Sequence, residues 1–540
     1  MGKTQEDLTS RAQIEQIKQL LDAGQFETGM AQLQTSLNAH YAQLIRLKFM
    51  QSDAWMKAGA LDDALSGYQR ILQLDPTQIT AHYNLGVIYY QKAQWPQAAQ
   101  QFQAYRAQQP GHFNALNNLI HAWQNMGELA QALTLSKQLL AEHPERYQGY
   151  ITLGVLRAAM QEHAAAIQAF DQALSLDPTC YTAWFNKGVS YLQQRDLERA
   201  IHALHQALKI HPEGGEVQPH LASAYYLKQR YDAWFPWFEQ RLQQPHFLAQ
   251  RRHFSWPFWP GADLKELAGK RLFIQSEQGV GDEALFLEAL HHLPPATRVC
   301  VEVDARLIPL LKAVKFPQAM EWLPRWQNPD DWQDQRFDYR LCLGTLWARV
   351  GMNSRFCAAG QPVLGVDEQQ VAHKRAHYQA QAKGRLVVGL SWKTGGYRNQ
   401  LRNIALSELV APLLAQWGQA CLFVSVQYGA VHEEVAALNA QHGCDMQVDE
   451  TVDALTDLHG FSVQLASCDL IVTIDNSTAH IGGRLGCPVW VLLPYSPNWF
   501  WGLHGEHTPL YPSLKLLRQQ APGQWYKPLD QMAKQLPVAR

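Results

Sequence analysis

The stretch Asp469–Pro494, reading DLIVTIDNSTAHIGGRLGCPVWVLLP, holds the residues best suited to chemistry. An apolar run (Leu470, Ile471, Val472, Ile474) fits a buried parallel strand, and Asp475, Asn476, Ser477 and Thr478 follow it. A helical pattern from Ala479 to Leu485 comes next, then Gly486 as a helix stop and a second apolar strand from Pro488 to Leu493. In such a βαβ unit the helix opens with an amide and two hydroxyls, with His480 on its first turn. Free backbone N–H groups and the positive end of the helix dipole meet there, which suits a phosphate. A plain helix cap at Asn476 or Ser477 would use the same residues for structure alone.

A second glycine-bearing loop, Ser276–Asp282 (SEQGVGD), lies between a strand-like Arg271–Gln275 and a helical Glu283–Leu293. Gly279 and Gly281, with Ala284 at a third small position and Glu302 or Asp304 some twenty residues on, imitate a dinucleotide fingerprint. Asp282 and Glu283 argue against that reading. A carboxylate at a helix start gains from the dipole but repels pyrophosphate. Asp282 is better placed to accept a proton from a neutral hydroxyl, or to act as an N-cap. Hydroxyls on one loop and an acid on the other suit group transfer from a nucleotide-activated donor to a hydroxyl acceptor.

The elements that must position these loops alternate strand and helix. Apolar segments at Arg298–Val303, Phe337–Leu343, Leu386–Ser391 and Cys421–Val426 predict two parallel sheets dividing near Val363–Asp367, with a cleft between them. The linker His253–Pro260 (HFSWPFWP) separates this half from a different one. Pro76, Pro110, Pro144, Pro178 and Pro212 are spaced by 34 residues, as are Ala64, Ala98, Ala132, Ala166 and Ala200. That period, with a small residue where two helices cross and a proline ending the second, resembles the tetratricopeptide repeat. Leu85, Gly86 and Tyr89, then Leu153 and Gly154, then Trp184, Gly188 and Tyr191 fit its first helix, and Tyr68, Phe102 and Phe170 its second. Trp234 replaces the packing alanine in the last repeat. The expected domains are a repeat array over 1–245, an acceptor-side domain over 250–365 and a domain for the nucleotide-activated donor over 366–540.

At 540 residues the chain exceeds one core, and 17% charged residues fit globular protein throughout. A formal charge of −2 gives no reason to expect nucleic acid. Eight cysteines lie scattered without a CxxC pair, and several sit inside apolar strand patterns, as buried free thiols do. With no apolar run of membrane length, the expectation is a cytoplasmic protein without a membrane span.

Five segments together carry a further resemblance: Ser276–Phe286, Val388–Leu406 (VGLSWKTGGYRNQLRNIAL), Phe423–Gly429 (FVSVQYG), the opening stretch, and Tyr511–Gln519 (YPSLKLLRQ). They look like the GT-B glycosyltransferases of the heptosyltransferase-like family 9, in a bacterial group fused to tetratricopeptide repeats. The resemblance implies an all-α tetratricopeptide-repeat superhelix followed by an α/β GT-B fold of two Rossmann-like domains. It implies Asp282 as the general base. It also implies Asp475, Asn476, Ser477, Thr478 and His480 around the donor's sugar and diphosphate, and Gln427 on the nucleotide side. Lys393 and Arg402 stand in the loop that commonly supplies cations to the diphosphate. No cofactor and no divalent metal are expected, the nucleotide sugar being a substrate, and the repeats hint at a polypeptide acceptor. The rival reading is a non-catalytic scaffold with a transferase-like domain; an oxidoreductase comes third.

Overall fold

The computed structural model describes residues 5–23, 25–244, 256–261, 263–325, 337–352, 362–395 and 401–535. Pro245, the start of the aromatic linker and the expected boundary after the repeats lie outside these residues. The chain packs into two compact units, Met1–Asn186 and Lys187–Arg540.

The first unit is helical. Its later helices run Leu61–Leu74, Ile79–Gln91, Trp95–Gln108, Phe113–Met126, Leu129–Glu142, Tyr147–Ala159 and His163–Leu176. The second helix of each pair stops two residues before its proline, because the residue preceding proline is held extended, as Asp75 is at φ −143°, ψ 100°. The packing alanines Ala64, Ala98, Ala132 and Ala166 are fully buried. A Cβ on Gly86 would stand 2.6 Å from the Phe102 ring, and one on Gly154 would collide with Phe170. Between these repeats the same two positions hold Ile120 and Ser136. The large and small partners have traded helices, which keeps the volume at the crossing.

A second 34-residue register appears in the turns inside the repeats. Gly59, Ala93, Gly127, Gln161, Arg195 and Gln229 all take positive φ, between 54° and 83°. Glycine accommodates that conformation at two of the six positions, and the others bear left-handed strain.

In the second unit the helical pattern continues through Leu197–Ile210, Val217–Leu227 and Tyr231–Glu239. The last two do not end in a repeat core of their own. Tyr226, Trp234 and Phe238 join one hydrophobic cluster with Phe286, Leu290, Val301 and Trp347 of the following sheet domain. Compact packing therefore divides the chain earlier than helical periodicity does.

The first sheet comprises β1 (Arg271–Gln275), β2 (Arg298–Val303), β3 (Ala319–Pro324) and β4 (Tyr339–Cys342), in the order β3-β2-β1-β4. The second comprises β5 (Leu386–Leu390), β6 (Cys421–Ser425), β7 (Gln447–Val448), β8 (Leu470–Ile474), β9 (Val489–Leu493) and β10 (Leu514–Arg518). Its order is β10-β9-β8-β5-β6-β7. Every ladder in both sheets is parallel. The fold is thus a helical repeat array followed by two parallel α/β sheets. The strand order reverses between β1 and β4 in one sheet and between β5 and β8 in the other. Open parallel sheets offer ligand crevices at the carboxyl ends of strands flanking such a reversal.

Candidate functional site

Both glycine-bearing loops leave the carboxyl end of a strand at these reversals, β1 for one and β8 for the other. The first opens the helix Val280–Phe286, with Gly279 as N-cap. Asp282 is the third helical residue and not the cap, and its carboxylate accepts the Gly279 N–H at 3.3 Å. The helix begins three residues earlier than its apolar pattern suggests, and a 3₁₀ segment, Leu287–His292, continues it.

The loop is fixed from behind by charges. Glu277 is buried and accepts Arg241 Nη2 at 2.6 Å, Arg241 Nε at 3.2 Å and the Gly344 N–H at 2.8 Å. Glu283, with no exposure, pairs with Arg325 and Ser276 and accepts the Asp304 N–H at 2.9 Å. Arg325 also donates to the Gln278 carbonyl at 2.7 Å, holding that residue at φ 67°. Three of these partners have no local sequence signal, since Arg241, Arg325 and Gly344 lie 36, 42 and 67 residues from their carboxylates.

The second loop opens the helix Ser477–Arg484, capped by Asn476. Asn476 Oδ1 accepts the Thr478 N–H at 3.1 Å and the Thr473 hydroxyl at 3.0 Å, while Nδ2 donates to Ser391 Oγ at 2.9 Å. Ser391 in turn donates to Gln427 Oε1 at 3.0 Å, which also accepts the N–H groups of Trp392 and Lys393 at 2.9 Å. This buried chain ties together the ends of β5, β6 and β8. Ser391 was within reach of sequence reasoning, being the polar residue that closes an apolar strand, yet no motif singled it out. Asp475 is buried too, accepting the Trp501 indole N–H at 2.8 Å with Arg402 3.5 Å away. Gln427, Asp475 and Asn476 therefore spend their side-chain polar atoms on the loop's shape. Ser477 is half-buried, and Thr478 Oγ1 is buried with no hydrogen-bond partner among the described residues.

The two candidate cations separate. Lys393 Nζ pairs with Glu434 at 2.8 Å. Arg402 donates to the Asp475 carbonyl at 3.1 Å, and its charge reaches both Asp282 and His480. His480 lies between Tyr511, whose hydroxyl is 2.7 Å from Nδ1, and Trp501, which stacks on it at 5.2 Å. Burial first, then Arg484 and Arg402, pull its pKa down to about 3, so the ring is neutral at ordinary pH. Of the aromatic run, Trp501 serves this stack, while Trp499 packs edge-on against Tyr226 and Trp347 and lies tilted on Trp234.

The two loops meet. A Cβ on Gly281 would lie 3.5 Å from Ser477 Cα and 3.6 Å from His480 Cδ2, so Asp282's helix start rests on the Ser477 turn. Buried Arg484 fastens this contact, donating to the carbonyls of Ala284 at 2.9 Å and Leu285 at 2.8 Å, with Glu288 2.8 Å away. Asp282 keeps partial access to solvent. Burial lifts its carboxyl to about 6, repulsion from Glu277 and Asp475 adds to the rise, and the Gly279 N–H and Arg402 oppose it.

A cavity of about 430 Å³ opens at the carboxyl ends of β6 and β7, lined by Gln427, Tyr428, His432, Asp453 and Phe461 among others. Among the described residues no group of three or more His, Cys, Asp or Glu could hold a metal ion. No helix there is long and apolar enough to cross a membrane.

Comparison with known proteins places the repeats. Tetratricopeptide-repeat profiles match residues 53–92, 80–112, 118–179, 151–213 and 185–242. Repeats of this kind indicate a protein-interaction scaffold. Protein FlbA of Caulobacter vibrioides is 28% identical over 300 residues, covering 52% of this chain. The chain spans about half the length of that relative, 48%. A tetratricopeptide repeat protein from Parabacteroides merdae is similar over 37% of this chain and 80% of its own, at 17% identity and a TM-score of 0.34. MamA from Desulfovibrio magneticus is similar over 32% and 96%, at 17% identity and a TM-score of 0.30.

Proposed function

We propose that the chain is a glycosyltransferase that moves a sugar from a nucleotide-diphosphate sugar to a hydroxyl, on a polypeptide presented by the repeats. The observation that carries this reading is the contact through Gly281, which brings an acid with a raised pKa beside a helix start bearing hydroxyls. A general base needs a pKa near the working pH, and an Asp drawn to about 6 is ionised at pH 7 to 8 yet more basic than an ordinary carboxylate. The acceptor oxygen attacks the anomeric carbon as Asp282 takes its proton. The bond from that carbon to the phosphate oxygen breaks, and the electron pair leaves on the diphosphate. Ser477, Thr478 and the helix N–H groups would receive the diphosphate charge, with Arg402 nearby. The cavity next to Gln427 falls within the range of small-molecule sites, about 300–1,000 Å³, and would take the nucleoside.

Within this proposal, Asp475, Asn476 and Gln427 act by shaping the binding loop, and neutral His480 contributes hydrogen bonding and stacking instead of charge. The scaffold reading draws on the same internal bonding, since a loop whose polar atoms are satisfied can persist without a ligand. Transfer assays across nucleotide sugars, with Asp282→Asn as control, decide between them. Transfer abolished by that substitution supports the enzyme; a folded protein with no transfer and no nucleotide affinity supports the scaffold.

A further inference from the structure

The helix Phe26–Lys57 is 32 residues long, against 14 for the helix Leu61–Leu74 that packs on it. At about 1.5 Å per residue its first half runs well past that neighbour. The preceding helix covers one side, where a Cβ on Gly29 would stand 2.8 Å from Leu21. Another side is bare among the described residues. Seven of the fifteen large exposed apolar residues among those described fall on this helix. Phe26, Met30, Leu33, Leu37, Tyr41 and Leu44 follow one another at steps of four and three, a stripe about 80° wide when wound at 100° per residue. Met30 and Leu37 are each more than half exposed, and Tyr41 keeps 42% exposure although its hydroxyl donates to the Leu74 carbonyl.

Charge states what fits the stripe. From Thr28 to Ile45 the helix carries no Asp, Glu, Lys or Arg, while Glu27 stands at one end and Arg46 and Lys48 at the other. The midpoint between these ends is Leu37. We propose that this helix is a self-association surface, on which two copies of the chain pair antiparallel about a two-fold axis at Leu37. Leu37 then faces its own copy, Met30 faces Leu44, Leu33 faces Tyr41, and Glu27 lies beside Lys48 of the second copy, while Arg46 points away from the seam. A parallel pairing would set Glu27 against Glu27 and the cations against themselves. The stripe is about 27 Å long and about 10 Å wide, so pairing buries roughly 550 Å² in total, at the low end of weak and reversible contacts.

Sedimentation of the full chain between about 1 and 100 µM tests this, a span chosen for a weak contact. A monomer–dimer equilibrium is expected. Leu37→Glu should raise its Kd by at least about tenfold, while circular dichroism stays unchanged because the position is exposed. Glu27→Lys alone should also weaken the dimer, and adding Lys48→Glu should restore it. A chain that stays monomeric at 100 µM, a dimer indifferent to Leu37→Glu, or failure of the charge swap to restore pairing would overturn the proposal.

Discussion

Asp282→Asn should separate stability from activity. The carboxyl is drawn from its ordinary 3.8 to about 6, mainly by burial. For a wholly desolvated group that displacement corresponds to about 3 kcal/mol at neutral pH, and solvent access reduces it to about 1–2 kcal/mol. The sign follows from proton binding. Between pH 4 and 6 the folded protein holds a proton that the unfolded chain releases, so wild-type stability falls as pH rises through that window. Asparagine does not titrate and keeps an oxygen for the Gly279 N–H. The variant should therefore match wild type near pH 4, gain about 1–2 kcal/mol by pH 7, and hold that margin above it. For a unit of this size the gain is about 1–3 °C in melting midpoint. Sugar transfer should fall by about 10²-fold or more in the same protein, since the base is gone. Melting curves of both proteins at pH 4, 5, 6, 7 and 8, read beside transfer rates, check this. A variant less stable than wild type at pH 8, or a margin that does not open between pH 4 and 6, would refute the electrostatic reasoning.

Further outcomes follow from the packing. Arg241→Ala leaves Glu277 buried without its ion pair and should cost about 3–5 kcal/mol in denaturant unfolding, whereas Arg241→Met with Glu277→Gln, which keeps an acceptor for Gly344, should lose less than half of that. Ala93→Gly should stabilise the repeat unit by up to about 1 kcal/mol, because Ala93 sits exposed at φ 54°; an unchanged or lower melting midpoint would count against strain in that turn. A fragment beginning near residue 250 should aggregate, since it strips Trp234 and Phe238 from a shared core at about 3–5 kcal/mol each and leaves Glu277 unpaired. One beginning at Tyr181 should stay soluble, as gel filtration would show.

Much of the architecture was legible because it rests on periodicity. The 34-residue prolines and alanines gave the repeats, and apolar runs located β1, β2, β5, β6, β8 and β9 to within a residue or so of their ends. β3 escaped notice because Ala319, Glu321 and Pro324 break its apolar pattern, and β7 because two residues carry no period. The merging of the last repeats into the first sheet could not be read locally. Trp234 at the alanine position marked an irregular repeat, but its tilted contact with Trp499 spans 265 positions in the sequence. The same holds at the candidate site. Asp282 and Asn476 through His480 stand out by type and spacing, whereas Arg241, Arg325 and Arg484 act through partners remote in sequence. Which motif residues face a ligand and which hold the loop also depends on hydrogen bonds absent from the pattern, as Gln427 illustrates.

The proposed transfer depends on a diphosphate held at the Ser477 turn. Calorimetric titration of the intact chain with a panel of nucleoside diphosphates and their sugars tests it most directly, with the variant Ser477→Ala/Thr478→Ala beside it. One nucleotide should bind the wild type, raise its unfolding free energy by about 2.7 kcal/mol at a hundredfold excess over Kd, and bind the folded double variant at least about tenfold more weakly. No affinity for any nucleoside diphosphate, or equal affinity in the variant, would contradict it.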